Sequence, residues 1–305
     1  MDWLIIGVSS TCLHAAISIA DKILLEKYFK SNWAYPFFTA LFLGVYSLLI
    51  LGFRLSSGLF YAHSITIVLI ALLPGFLHYA AALITTRALR EADASTVFGL
   101  SQINPFFALI WGVVVFGNFY KPINYLGVVI LVLSAVFLAW EKPQQSFKLL
   151  KFNRVLLWVV LGTLIRSFSD LFVKIAVTEL SFWDAFSLSR VGSLLPAFLL
   201  LAQPRIRKEV INPVRTAGFK IIGMAGLVEI FALINLILLT LAFSLGPLAL
   251  VSATQATLPL FILIFTALLN WVKAGLVPTR DSGVGLKFKV FLGFGIVLGV
   301  LLIYI

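Results

Sequence analysis

The chain has 305 residues, of which 61% are hydrophobic and 11% charged, against roughly 45–50% apolar and about 25% charged in a soluble domain. That balance excludes a water-soluble globule, and the apolar length leaves no room for a soluble catalytic or nucleic-acid-binding domain. The formal net charge of +11 is therefore read as the distribution of Lys and Arg among membrane loops.

Charges and Gly/Pro boundaries divide the sequence into ten apolar segments: 3–21, 33–53, 65–86, 94–116, 123–140, 155–173, 182–202, 221–243, 247–271 and 290–305. Each is close to the ~20 residues that cross a hydrocarbon core of about 30 Å as a helix. The first is preceded only by Met1 and Asp2, without the basic n-region or small-residue cleavage pattern of a signal peptide, so it is expected to remain a span. It holds the single cysteine, Cys12, which excludes an internal disulfide or a cysteine metal cluster and reads as packing. Trp3, Trp33, Trp140 and Trp271, near span ends, suit the interfacial aromatic belt.

The 141–154 connection separates two sets of five spans, 1–140 and 155–305, and the sets resemble each other. Trp3-Leu-Ile-Ile-Gly7 parallels Trp158-Val-Val-Leu-Gly162, and Lys22-Ile23 parallels Lys174-Ile175. Ala88-Leu89 stands seventeen residues before Pro105, and Ala242-Phe243 seventeen before Pro259, each across two spans joined by a very short turn, at 90–93 and 244–246. Because five is odd, a second copy of a five-span unit enters from the opposite face. The expected fold is thus an all-α membrane protein of ten transmembrane helices in two inverted five-helix repeats, a plan of secondary transporters in which two packings of the halves supply two access states.

Ala88-Leu89, the small residues Ala94 and Ser95, and the mid-span Pro105 followed by Gly117 resemble the signature of EamA-type members of the drug/metabolite transporter superfamily; 242–270 is a weaker second copy. The resemblance covers the whole chain in layout. It departs where many relatives carry Gly-Glu after the fourth span, since Asn118 follows Gly117 here, with Asn270 in the similar place of the second half. The resemblance implies export of amino acids or related solutes and both termini in the cytoplasm.

The charge count implies the opposite orientation. Arg54, Lys121 and Lys174 lie on one face and Arg166 and Arg190 within spans, which leaves eighteen of the 23 Lys and Arg on the face of the 203–220 connection. By the positive-inside bias that face is cytoplasmic and both termini lie outside an inner or plasma membrane.

Ionisable residues inside spans cost roughly 2.5–3.5 kcal/mol on insertion scales, so they face protein or a wet cavity. Arg166, Asp170 and Lys174 recur every four residues on one helix face, as a self-neutralised pair or as the polar wall of a substrate cavity. Asp184 is expected to be solvated near a span end, while Arg190 and Glu229 are deep enough to be expected as a structural or coupling pair. In the first half His14 and Ser18 fall opposite Arg166 and Asp170 when Lys22 is aligned with Lys174, and His78, Tyr79, Gln102 and Asn104 follow. Pro105 and Pro259 remove backbone donors beside Gln102 and Asn104 and beside Thr254, Gln255 and Thr257, either as ordinary membrane-helix prolines or as a substrate path along a broken helix.

A central cavity is therefore expected to be lined by His14, Ser18, His78, Tyr79, Gln102, Arg166, Asp170 and Gln255. Arg166 is the candidate for a substrate carboxylate or phosphate and His78 for a proton-sensitive position. No His-Glu-x-x-His, Gly-x-Ser-x-Gly or Walker-type motif occurs, so neither an enzyme nor an ATP-driven pump is expected, and no cofactor or metal. The reading is a monomeric secondary transporter whose partners are the lipid bilayer, a small-molecule substrate and, as candidate coupling ion, the proton. The alternative is a flippase of a lipid-linked sugar or other amphipathic phosphate, with Arg166, Lys174 and Arg190 as its basic site.

Overall fold

A computed structural model of the chain describes residues 2–29, 31, 33–60, 64–91, 97, 100–139, 149–272 and 286–304, and among these it is helical without strands. The helices are α1 (Asp2–Lys27), α2 (Ala34–Ser56), α3 (Ile65–Glu91), α4 (Asn104–Val114), α5 (Pro122–Ala139), α6 (Leu149–Glu179), α7 (Phe182–Val191), α8 (Leu194–Leu201), α9 (Pro204–Leu245), α10 (Leu248–Thr254), a 3₁₀ turn (Gln255–Thr257), α11 (Leu258–Val272) and α12 (Leu286–Tyr304). Among the described residues seven stretches are long and apolar enough to cross a membrane: Asp2–Leu25, Ala34–Ser56, Ile65–Ala88, Arg154–Glu179, Phe182–Leu201, Ile221–Leu245 and Leu248–Trp271. Shorter apolar helices at Asn104–Val114, Pro122–Phe137 and Phe291–Ile303 fall on the fourth, fifth and tenth expected spans. These are the elements of a membrane-embedded helical protein. Ala94, Ser95, Trp140 and most of the 141–154 connection lie outside the described residues.

Prolines set the interruptions. A proline ring clashes with the carbonyl four residues back and brings no N–H of its own. Accordingly a turn at 102–103 precedes Pro105, the 3₁₀ turn at Gln255–Thr257 precedes Pro259, and Gly192-Ser193 separates α7 from α8 four and three residues before Pro196. Pro74, by contrast, lies inside an unbroken α3. The 203–220 connection is not a loop: it is the first part of α9, where the exposed Arg205 pairs with Glu209 one turn on at 3.4 Å.

Packing is chiefly α1 on α9, α3 on α6, α2 on α7, α4 on α10, and α5 on α12. Small residues let backbones approach, as membrane helix contacts require where burial from water gives no driving force. Gly127 and Gly299 lie against each other's helices, so that a Cβ on Gly127 would come within 2.9 Å of the Gly299 carbonyl. At the crossing of α3 and α7 a Cβ on Gly192 would collide with the Leu72 carbonyl, and one on Gly75 with the Ser189 carbonyl. Helix ends are tied by charge. Lys174 Nζ donates to the carbonyls of Phe243 (2.6 Å) and Gly246 (2.9 Å), a cation on the C-terminal end of α9.

Candidate functional site

The backbone contact at Gly75 and Gly192 decides what meets at the centre of the bundle. His78 lies one turn beyond Gly75 on α3, and Arg190 follows Ser189 on α7, so the glycine crossing brings imidazole and guanidinium to one place. There they line, with Arg166, Ser169 and Asp170 of α6 and Thr240 of α9, a small cavity of about 20 Å³, room for about one water molecule. Val173, Leu236, Leu239 and Phe243 form its apolar wall. Arg166, half-buried, stands near the middle of the Arg154–Glu179 apolar stretch.

Each charged group has a different set of partners. Asp170, 6% exposed, accepts a hydrogen bond from Asn104 Nδ2 at 2.9 Å, and both Arg166 and Arg190 act on its charge. Arg166 Nη2 donates to Gln255 Oε1 at 3.2 Å, across to the 3₁₀ turn. Arg190 is 5% exposed and its Nε has no hydrogen-bond partner; among the described residues no carboxylate oxygen lies within 4.0 Å of its guanidinium. Asn104 Oδ1 and Gln255 Nε2 are likewise buried without partners. His14 is close enough to Arg166, and to His78, to interact with their charges. The polar surface thus draws on residues from both 1–140 and 155–305, and the two proline-interrupted segments each send an amide side chain to it.

Three expected residues, His78, Arg166 and Asp170, line this cavity; His14 and Gln255 adjoin it through Arg166. Others are elsewhere. Ser18 Oγ donates to the carbonyl of His14 on its own helix at 2.8 Å. Tyr79, 4% exposed, packs with Leu24, Phe29 and Phe38, since neighbouring helix residues point about 100° apart and only one of His78 and Tyr79 can face the cavity. Gln102 is buried in the turn before Asn104 and is not among the lining residues. Arg166 and Asp170 do not close on each other as an ion pair, because Gln255 and Asn104 take their ends.

The expected Arg190–Glu229 pair does not form. Glu229, 3% exposed, accepts from Thr39 Oγ1 at 2.8 Å on α2, beside Tyr35, whose hydroxyl donates to Asp21. Arg190 instead lines the cavity, apart from Glu229, its expected partner in a coupling or structural pair. Asp184 is not solvated either: it is fully buried and bridged by Arg54, with Nε to Oδ1 at 2.6 Å and Nη2 to Oδ2 at 3.2 Å. Asn104, read from the sequence only as a neighbour of Pro105, is the hydrogen-bond partner of the cavity's acid.

No family model matches the chain, and no curated protein matches it. A solved crystal structure of a protein 13% identical in sequence superposes with a TM-score of 0.62, covering 99% of this chain and 98% of that one. At that identity the likeness is one of fold alone.

Proposed function

We propose that the protein is a secondary transporter that moves a small metabolite, an anionic one such as an amino acid or related solute, by alternating access through the central cavity. The observation that carries the reading is a cavity deep in the bundle with two guanidinium groups, one carboxylate and an imidazole, one guanidinium being without a partner. A purely structural polar core has its groups satisfied.

The reciprocal helix packing supports ten spans in two inverted repeats. Numbering the spans in order, the first packs on the eighth and the sixth on the third, while second and seventh, fourth and ninth, and fifth and tenth pack on each other. Adding five to each span number leaves this pattern unchanged, as a two-fold relation between halves requires. Ala88 and Ala242, the paired residues of the repeat, are both fully buried. This layout is what a transporter of the EamA type would have.

For orientation, two cations of the sparse face are spent on protein partners, Arg54 on Asp184 and Lys174 on carbonyls. That leaves the eighteen-charge face as the topological signal, with that face cytoplasmic and the termini outside. A reporter active only in the cytoplasm should be silent after Ile305 and active in 203–220; the reverse pattern would reject this orientation. The flippase reading loses one of its three cations, since Lys174 is held by Phe243 and Gly246.

Metabolites compared between cells expressing and lacking the protein, followed by uptake of the differing solutes into sealed proteoliposomes, test the function. Protein-dependent movement of a water-soluble anion supports it. Movement only of lipid-linked phosphates would replace it with the flippase.

A further inference from the structure

Counting both imidazoles as neutral, as an ordinary histidine largely is at pH 7, the cavity carries the charges of Arg166, Arg190 and Asp170 and is one positive charge in excess. A carboxylate elsewhere does not supply the balance: Glu229 is held at Thr39 and Asp184 at Arg54. Nor is the excess spread evenly. Arg166 has Gln255, Asp170 has Asn104, and Arg190, 5% exposed, has neither a hydrogen bond to its Nε nor a carboxylate within 4.0 Å among the described residues. Asp170 offsets only one of the two guanidinium charges, and a net positive charge so deep in the bundle is strongly unfavourable because a buried charge is costly unless it is paired.

We propose that the Arg190 guanidinium, flanked by Arg166 and His78, is a binding site for one monovalent anion. One negative charge neutralises the cavity; a divalent anion would reverse its sign. The guanidinium fork presents parallel N–H donors to a carboxylate and offers a halide the same charge. The site therefore takes either a free inorganic ion or the carboxylate of a substrate, and for the second source alone the inference rests on the transporter reading. It assigns the anion to Arg190, where the sequence pointed to Arg166, because Arg166 is already bonded across to Gln255.

The test uses the full chain in lipid nanodiscs, titrated with sodium chloride, sodium bromide or sodium acetate against sodium sulfate at constant ionic strength. Apparent unfolding temperature and the ³⁵Cl line width in solution are followed together. A ligand that binds the folded state raises the unfolding temperature in a saturable way, and that rise is expected with a monovalent anion. Arg190→Gln should weaken it by about ten-fold or more, equivalent to about 1.4 kcal/mol, while Arg166→Gln keeps a saturable, weaker response. Arg190→Lys keeps the charge without the fork and should retain halide binding even if Arg190→Gln does not fold. Saturation by halide and acetate alike identifies a free-anion site, and saturation by acetate alone a site fitted to carboxylate; both support the proposal. No saturation by any of the three, or equal saturation in a folded Arg190→Gln protein, overturns it. Solute uptake that persists unchanged in Arg190→Gln would overturn the substrate-carboxylate source and leave the transporter reading standing, whereas saturable anion binding without uptake would support the site and overturn the transporter reading.

Discussion

Arg54 and Arg190 are both arginines drawn into an apolar bundle, and their surroundings are opposite. Arg54 holds both oxygens of Asp184, and its Nη2 also donates to Ser181 Oγ at 3.0 Å and to the Leu59 carbonyl at 2.8 Å. Arg190 has an Nε with no partner and faces a cavity. A guanidinium whose Nε and Nη2 are both committed to protein acceptors is a structural tie, so Arg54 reads as a clasp between α2 and the start of α7. An unsaturated one keeps its strongest interaction for something that comes and goes.

The two arginines should respond oppositely to deletion. Arg54→Ala strands a carboxylate that is fully buried, and is expected to cost roughly 3–5 kcal/mol, read as unfolding in detergent or loss of assembled protein. Arg54→Met with Asp184→Leu should recover most of it, because neither charge is then left alone. Arg190→Leu, which removes a charge that has no bonded partner and neutralises the cavity, should leave stability at or above that of the native chain. Equal destabilisation by Arg54→Ala and Arg190→Leu would erase the distinction.

Lys174 extends the contrast to helix ends. Its ammonium bonds two carbonyls at the end of α9, and charged hydrogen bonds contribute about 1.5–3 kcal/mol. Lys174→Met should lower stability by an amount in that range without changing which solute is moved. A change in solute preference would return Lys174 to the binding surface.

What was legible in the sequence follows from which interactions are local. Seven of the ten apolar runs at span length, the helix interruptions before Pro105 and Pro259, and the common face of Arg166 and Asp170 all depend on residues within a turn or two, and these are found. The Arg190–Glu229 pair fails because nothing local says which helix a span faces. Asp184 looked solvated because its partner, Arg54, lies 130 residues earlier. Tyr79 was grouped with His78 by adjacency, although adjacency on a helix separates directions. One signal was available for Arg190: Gly192 lies two residues from the arginine beside the small Ser189 and Ser193, and Gly75 lies one turn before His78. Small residues in a membrane helix mark close crossings, and a charge beside such a crossing is directed to the interior.

Arg87 gives the smallest expected effect. Its guanidinium lies 5.9 Å from the Trp33 ring centroid and 5.8 Å from that of Trp158, joining α3 to the start of α2 and to α6. Exposed cation–π contacts contribute about 0.5–1 kcal/mol each, so Arg87→Gln should lower the unfolding temperature slightly and additively with the Arg54 variants, which lie at the other end of the bundle. Strong non-additivity would mean that the two ends open together.

The most direct measurement is uptake of small labelled carboxylates into sealed proteoliposomes, with native protein, Arg190→Leu, and the Arg54→Met/Asp184→Leu double variant reconstituted at equal amounts. The native protein and the double variant should move at least one carboxylate, and Arg190→Leu, as stable as the native chain, should not. Uptake by Arg190→Leu at the native rate would contradict the assignment of the unpaired arginine to the transported anion.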